Sequence, residues 1–172
     1  MCRSNGFTLL ELLIALAVLV TLLVIGVPSY SRVQEERQLE QAINQMQSDV
    51  LLGRQMAWHQ HDSQIQIRFF PGDNWCYRLT DVSPQQCVSC QARCDIDGDG
   101  RRRGADASRW PKVRLQRVSY PLAALGFDVR RGGFTAGYVQ LSNQWSSKRL
   151  ISTGYGRLHI CSYALGSEGT VC

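Results

Sequence analysis

Residues 7–28 read FTLLELLIALAVLVTLLVIGVP, and this stretch decides how the rest of the chain is organised. A helix of about 20 apolar residues matches the hydrocarbon thickness of a bilayer. A secretory signal would be shorter and would end in small residues at its cleavage point, which are lacking here. Glu11 is the anomaly. A carboxylate within such a run costs about 2.5–3.5 kcal/mol at the helix centre and less near the interface. An ordinary anchor has no use for it, so its presence calls for a partner.

Beyond Pro28 the apolar residues become periodic. Leu39, Ala42, Ile43, Met46, Val50 and Leu51 recur at helical spacing between charged and amide residues, an amphipathic continuation of the helix. The period then changes, with Ile65, Ile67 and Phe69 alternating with Gln64, Gln66 and Arg68. Alternation of this kind predicts a strand, placing the end of the helix near His59 to Ser63. Trp75–Thr80, Val113–Val118, Gly137–Leu141 and Arg157–Ser162 also read as strands. Gly126, Gly132-Gly133, Gly154 and Gly156 punctuate them. The expected fold is α+β: a long helix, first transmembrane (7–28) and then amphipathic (29–60), packed on an antiparallel β-rich head (61–172).

Working outward to the start, MCRSNG precedes the run. Gly6, the stretch Phe7-Thr8-Leu9-Leu10-Glu11, the apolar run and Pro28 together resemble the leader and anchor of type IV pilins and of type II secretion pseudopilins. The resemblance implies a leader, residues 1–6, cut after Gly6 by prepilin peptidase, with methylation of the new amine on Phe7. It implies that Glu11, fifth in the mature chain, pairs with the amine of a neighbouring subunit, so that two buried charges satisfy each other only on docking. Pro28 would bend or loosen the helix, since proline removes an amide donor. The expected location is the bacterial inner membrane, single-pass with a periplasmic head, then the pilus fibre or tip. The expected partners are other major and minor pilins.

Three further pieces narrow the resemblance to minor pilins of the FimT/FimU type and the pseudopilin GspH. They are Gly53-Arg54-Gln55-Met56-Ala57, the Asp95 to Gly100 loop, and Gly156-Arg157-Leu158-His159-Ile160-Cys161. The function implied is priming or capping of pilus assembly. The alternative is a type II secretion pseudopilin, whose head would touch secreted proteins.

Charge and cysteine usage add to this. From Phe7 to Gly100 there are 6 Arg/Lys against 11 Asp/Glu, and from Arg101 to Cys172 there are 12 against 3. So basic a C-terminal half suits an anionic partner, or simply a solvated cationic face. Some FimT-type pilins bind DNA for uptake through a Gly-Arg-x-Arg motif in this region. The resemblance implies such a role for Arg157, with Lys148, Arg149, Arg130 and Arg131 contacting phosphates of double-stranded DNA. His159 stands where the second arginine would be, and histidine is ordinarily mostly uncharged at neutral pH. Of the seven cysteines, Cys2 would leave with the leader. The six others suit disulfides in an oxidising compartment. Closeness in sequence pairs Cys161 with Cys172, while the pairing of Cys76, Cys87, Cys90 and Cys94 stays open, zinc or redox chemistry being the alternative for that group.

Asp95, Asp97 and Asp99, followed by Gly100, begin like a calcium loop. Arg101, Arg102 and Arg103 oppose a cation there, so the expectation is a structural turn and no cofactor. His59, His61 and His159 form no catalytic set with an activated nucleophile, and no enzymatic activity is expected.

Overall fold

The structure, a computed structural model, describes residues 8–60, 64–81, 86–92, 94, 96 and 103–164, without the side chains at 25–29 and 164. Two compact units divide the chain between Gln34 and Glu35. Helix α1, Leu9–Gln60, begins in the first and ends in the second, and it continues through position 28.

Thr8 starts the helix. Its Oγ1 accepts the Glu11 backbone N–H at 3.2 Å, the first half of a capping box with Glu11 at its third position. This places the Glu11 carboxylate in the first turn, where the positive end of the helix dipole favours it. Among the described residues no helix is long and apolar enough to cross a membrane. The described side chains of the apolar run stop at Val24, whereas the sequence extends it to Val27.

In the second unit the helical period has its expected consequence. Leu39, Ala42, Ile43, Met46, Val50 and Ala57 form one buried stripe, and Leu51 alone of the predicted set faces outward at 48% exposure. Gly53 lies within the stripe. A side-chain carbon there would come within 2.6 Å of Phe127 and 2.7 Å of Leu79, so glycine is what lets the sheet approach the helix this closely.

Nine strands are among the described residues: β1 Gln66–Phe70, β2 Cys76–Thr80, β3 Arg103–Asp106, β4 Arg114–Val118, β5 Ala124–Asp128, β6 Gly133–Phe134, β7 Gly137–Ser142, β8 Ser146–Ser152 and β9 Leu158–Ala164. They form two sheets, ordered β3-β2-β1-β5-β6 and β4-β7-β8-β9. Every pairing is antiparallel. The core lies between the helical stripe and the inward residues of both sheets, among them Ile67, Tyr77, Leu79, Leu125, Val139, Leu141 and Leu150. The α+β architecture expected from the sequence is the one observed.

Polar ties fix helix to sheet. Tyr77 donates from its hydroxyl to Asp49 Oδ2 at 2.7 Å, and Gln45 Nε2 donates to the other oxygen at 3.0 Å. Trp75, fully buried, donates from Nε1 to the Val113 carbonyl at 2.7 Å and lies parallel to Trp110. Burial, with the Asp49 carboxylate beside it, pushes the Tyr77 hydroxyl far above its ordinary value of 10.0. Burial likewise pushes Tyr120 up to about 12, against the opposing effect of its bond with Ser152.

For both tyrosines the fold favours the neutral form. Their stabilisation is therefore full below pH 10 and lost above it, by about 1.4 kcal/mol per pH unit and tyrosine until the folded pKa is reached. Denaturant unfolding between pH 10 and about 12 should show the combined slope, and Tyr77→Phe should halve it. An unchanged slope in that variant would contradict this account of Tyr77.

Candidate nucleic-acid interface

At the end of α1 farthest from Glu35, three segments distant in sequence meet. The first is the last two turns of the helix, with Arg54 and Trp58. The second is the turn after β5, where the Asp128 carboxylate accepts the backbone N–H groups of Arg130 and Arg131 at 3.0 and 3.1 Å. That carboxylate is occupied in capping its own turn, and both arginine side chains are exposed. The third is the β8–β9 turn, closed by the Gly156 N–H on the Thr153 carbonyl and the Thr153 N–H on the Arg157 carbonyl, each 3.0 Å.

Glycines allow the two turns to touch. Gly132 and Gly156 adopt positive φ, 66° and 77°, a left-handed conformation that glycine takes without steric cost. A carbon added at Gly133 would lie 2.0 Å from the Gly154 carbonyl oxygen, and one at Gly156 would lie 2.6 Å from that of Gly132. Arg54 bridges them. Its Nη1 donates to the Gly156 carbonyl at 3.4 Å, and its guanidinium lies 5.4 Å from the centre of the Phe134 ring.

The resulting surface is cationic and aromatic. Arg157 and His159 are exposed and line a depression of about 540 Å³ with Thr153 and Tyr155. Tyr155 is 95% exposed and Trp58 55%. A carbon at Gly132 would lie 3.8 Å from the Trp58 ring, which places that ring against the Arg130-Arg131 turn. The structure thus gathers Arg130, Arg131, Arg157 and His159, and adds Arg54, Trp58 and Tyr155.

Lys148 and Arg149 stand apart from this cluster. Lys148 lies on the helix-facing side of β8 and pairs with Glu40 at 3.5 Å, its side chain only 20% exposed. Arg149 is on the opposite face, stacked between Tyr138 and Tyr163 at 4.9 and 4.4 Å. Its Nε donates to Gln140 Oε1 at 2.8 Å. Both side chains have partners within the head.

The cysteines left open by the sequence pair as Cys76–Cys90 and Cys87–Cys94, which leaves no thiolate among those four for zinc. Cys161 is also disulfide-bonded, and Cys172, its expected partner, lies outside the described residues. Among the described residues no group of three or more His, Cys, Asp or Glu could hold a metal ion. Asp95, Asp97 and Asp99 lie outside them, as do Gly6, Phe7 and the side chain of Pro28.

Residues 1–27 match the prokaryotic N-terminal methylation motif. This match supports a type IV pilin-like protein with a pilin or pseudopilin role. No curated protein and no solved structure gives a significant match to the chain. The pilin-like motif implies contact with other pilins and with prepilin peptidase in general, and it suggests a structural, non-enzymatic protein. Thr8 has a local role at the start of the helix, where its hydroxyl accepts the backbone N–H of Glu11.

Sequence reasoning missed Arg54 and Trp58 as members of the cluster. They precede Arg157 by about a hundred positions, and only the fold brings them to it.

Proposed function

We propose that this pilin-like protein is a minor type IV pilin of the FimT/FimU type. It is anchored once in the inner membrane, it takes part in priming or capping the pilus, and its head binds DNA for uptake. Phe7 carries the methylated amine and Glu11 the assembly contact. The observation that supports DNA binding is the convergence of Arg54, Arg130, Arg131 and Arg157 at one end of the head, with the nearby Asp128 carboxylate already occupied. Such a surface contacts phosphates, which gives affinity without sequence preference.

The test is binding of the detergent-solubilised full chain to duplex DNA across a salt series, beside an Arg131→Ala/Arg157→Ala variant. Binding should weaken steeply with salt, and the variant's slope in log K against log salt should be shallower by about one per phosphate contact removed. Absence of binding at low salt, or a variant indistinguishable from the parent, would sink the DNA role. A GspH-like pseudopilin of type II secretion would then be the better reading.

A further inference from the structure

Two large rings at this interface have no place in the core. Four other large aromatics of the head are covered, with Trp75 at 0%, Tyr77 at 0%, Trp110 at 3% and Tyr120 at 4% exposure, while Trp145, in the β7–β8 turn away from this surface, is 41% exposed. Trp58 and Tyr155 are the opposite, at 55% and 95%. Each is held by a short, well-defined element, Trp58 by the last turn of α1 and Tyr155 by the hydrogen-bonded β8–β9 turn. Cations flank both: Arg54 and Trp58 share one shallow depression and Arg157 and Tyr155 another.

Phosphate contacts need the cations alone. A duplex presents phosphates and base edges outward while its base faces stay stacked on one another, so it gives an exposed ring nothing to stack on. A single strand offers both its charged backbone and free base faces, and exposed aromatics among basic residues are the arrangement that uses both.

We propose that the Trp58–Tyr155 pair makes unpaired, single-stranded DNA the preferred ligand of this surface. The inference rests on the DNA reading above and names the form of DNA that is bound. Trp58 and Tyr155 stack on bases, while the exposed Arg130, Arg131 and Arg157 hold the phosphates and Arg54 braces the turns that carry them.

The experiment compares the detergent-solubilised full chain binding an oligothymidylate and a blunt duplex of equal length at one salt concentration, followed by tryptophan emission. The single strand should bind about fivefold or more tightly and should quench emission on saturation. Trp58→Ala should remove most of the quench and lower single-strand affinity about tenfold, clearly more than it lowers duplex affinity. Tyr155→Ala, at a position almost wholly in solvent, should lower single-strand affinity without loss of folding. Equal or tighter duplex binding without quenching overturns the single-strand preference and leaves the DNA function standing. A Trp58→Ala variant that keeps the quench and the single-strand affinity also overturns it. If neither ligand binds, both readings fall together.

Discussion

Replacing both members of each described disulfide, Cys76→Ala/Cys90→Ala together with Cys87→Ala/Cys94→Ala, is expected to lower the stability of the head by about 4–5 kcal/mol. The bonds close loops with sequence separations of 14 and 7 residues, for which chain-entropy arguments give ~3 and ~2.5 kcal/mol taken singly. They cross in sequence, because Cys87 lies inside the first loop and Cys94 outside it. The second bond therefore closes a loop already shortened by the first, and the two contributions fall somewhat short of additive. Small domains are stable by only about 5–15 kcal/mol, so such a loss is a large share of the total. Thermal unfolding should move down by roughly 10–20 °C, with each single pair giving about half. An oxidised parent and a quadruple variant that melt within roughly 2 °C of one another would mean the bonds merely decorate an already rigid segment.

Gly133→Ala should have the second large effect, and it should reach the DNA interface. The added carbon would sit 2.0 Å from the Gly154 carbonyl oxygen, with Gly133 at the start of β6, where it closes the turn after β5, and Gly154 in the β8–β9 turn. No side-chain rotation relieves a clash with backbone, so the turns must part. Overpacking of this kind costs about 1–3 kcal/mol. Parting the turns also pulls the Arg130-Arg131 turn away from Arg157 and removes the Gly156 carbonyl from Arg54. DNA affinity is expected to fall about tenfold, roughly 1.4 kcal/mol, with a melting temperature lowered by only a few degrees. Gly154→Ala is the control, because a carbon there meets nothing within 4 Å; its binding should match the parent. Loss of affinity in both variants, or in neither, would show that the contact between the turns does not organise the surface.

The helix was legible because burial follows its period. Leu39, Ala42, Ile43 and Met46 face the core at the spacing the sequence shows, and Ile65, Ile67 and Phe69 switch to the strand period just past the helix end. The strand β8 was not legible. Its two charges break the alternation: Lys148 points to the helix side, where Glu40 accepts it, and Arg149 is shielded by two tyrosines on the other face. In the sequence the pair reads as contacting phosphates alongside Arg157, whereas in the head both side chains have partners. Strands β3 and β6 span 4 and 2 residues, too few for a period to register. β5 reads ALGFD, whose glycine dilutes the pattern although Leu125 and Phe127 are both inward. At the interface, sequence singled out the basic turns and the adjacent Tyr155 but not the neighbours supplied by the helix. Arg54 and Trp58 look like ordinary polar and apolar positions of a helix end until the β8–β9 turn folds against them.

One wall of the core is also the chain's handle. The buried stripe of α1 runs from Leu39 to Ala57, with cross-ties at Glu40–Lys148 and Asp49–Tyr77. A pull on the helix entering at Glu35 therefore loads these contacts side by side, in shear. They cannot be unzipped one after another from a free end. The head should accordingly yield at high force and all at once, as a rivet shears, and a tensile load should reach both sheets before any strand begins to peel.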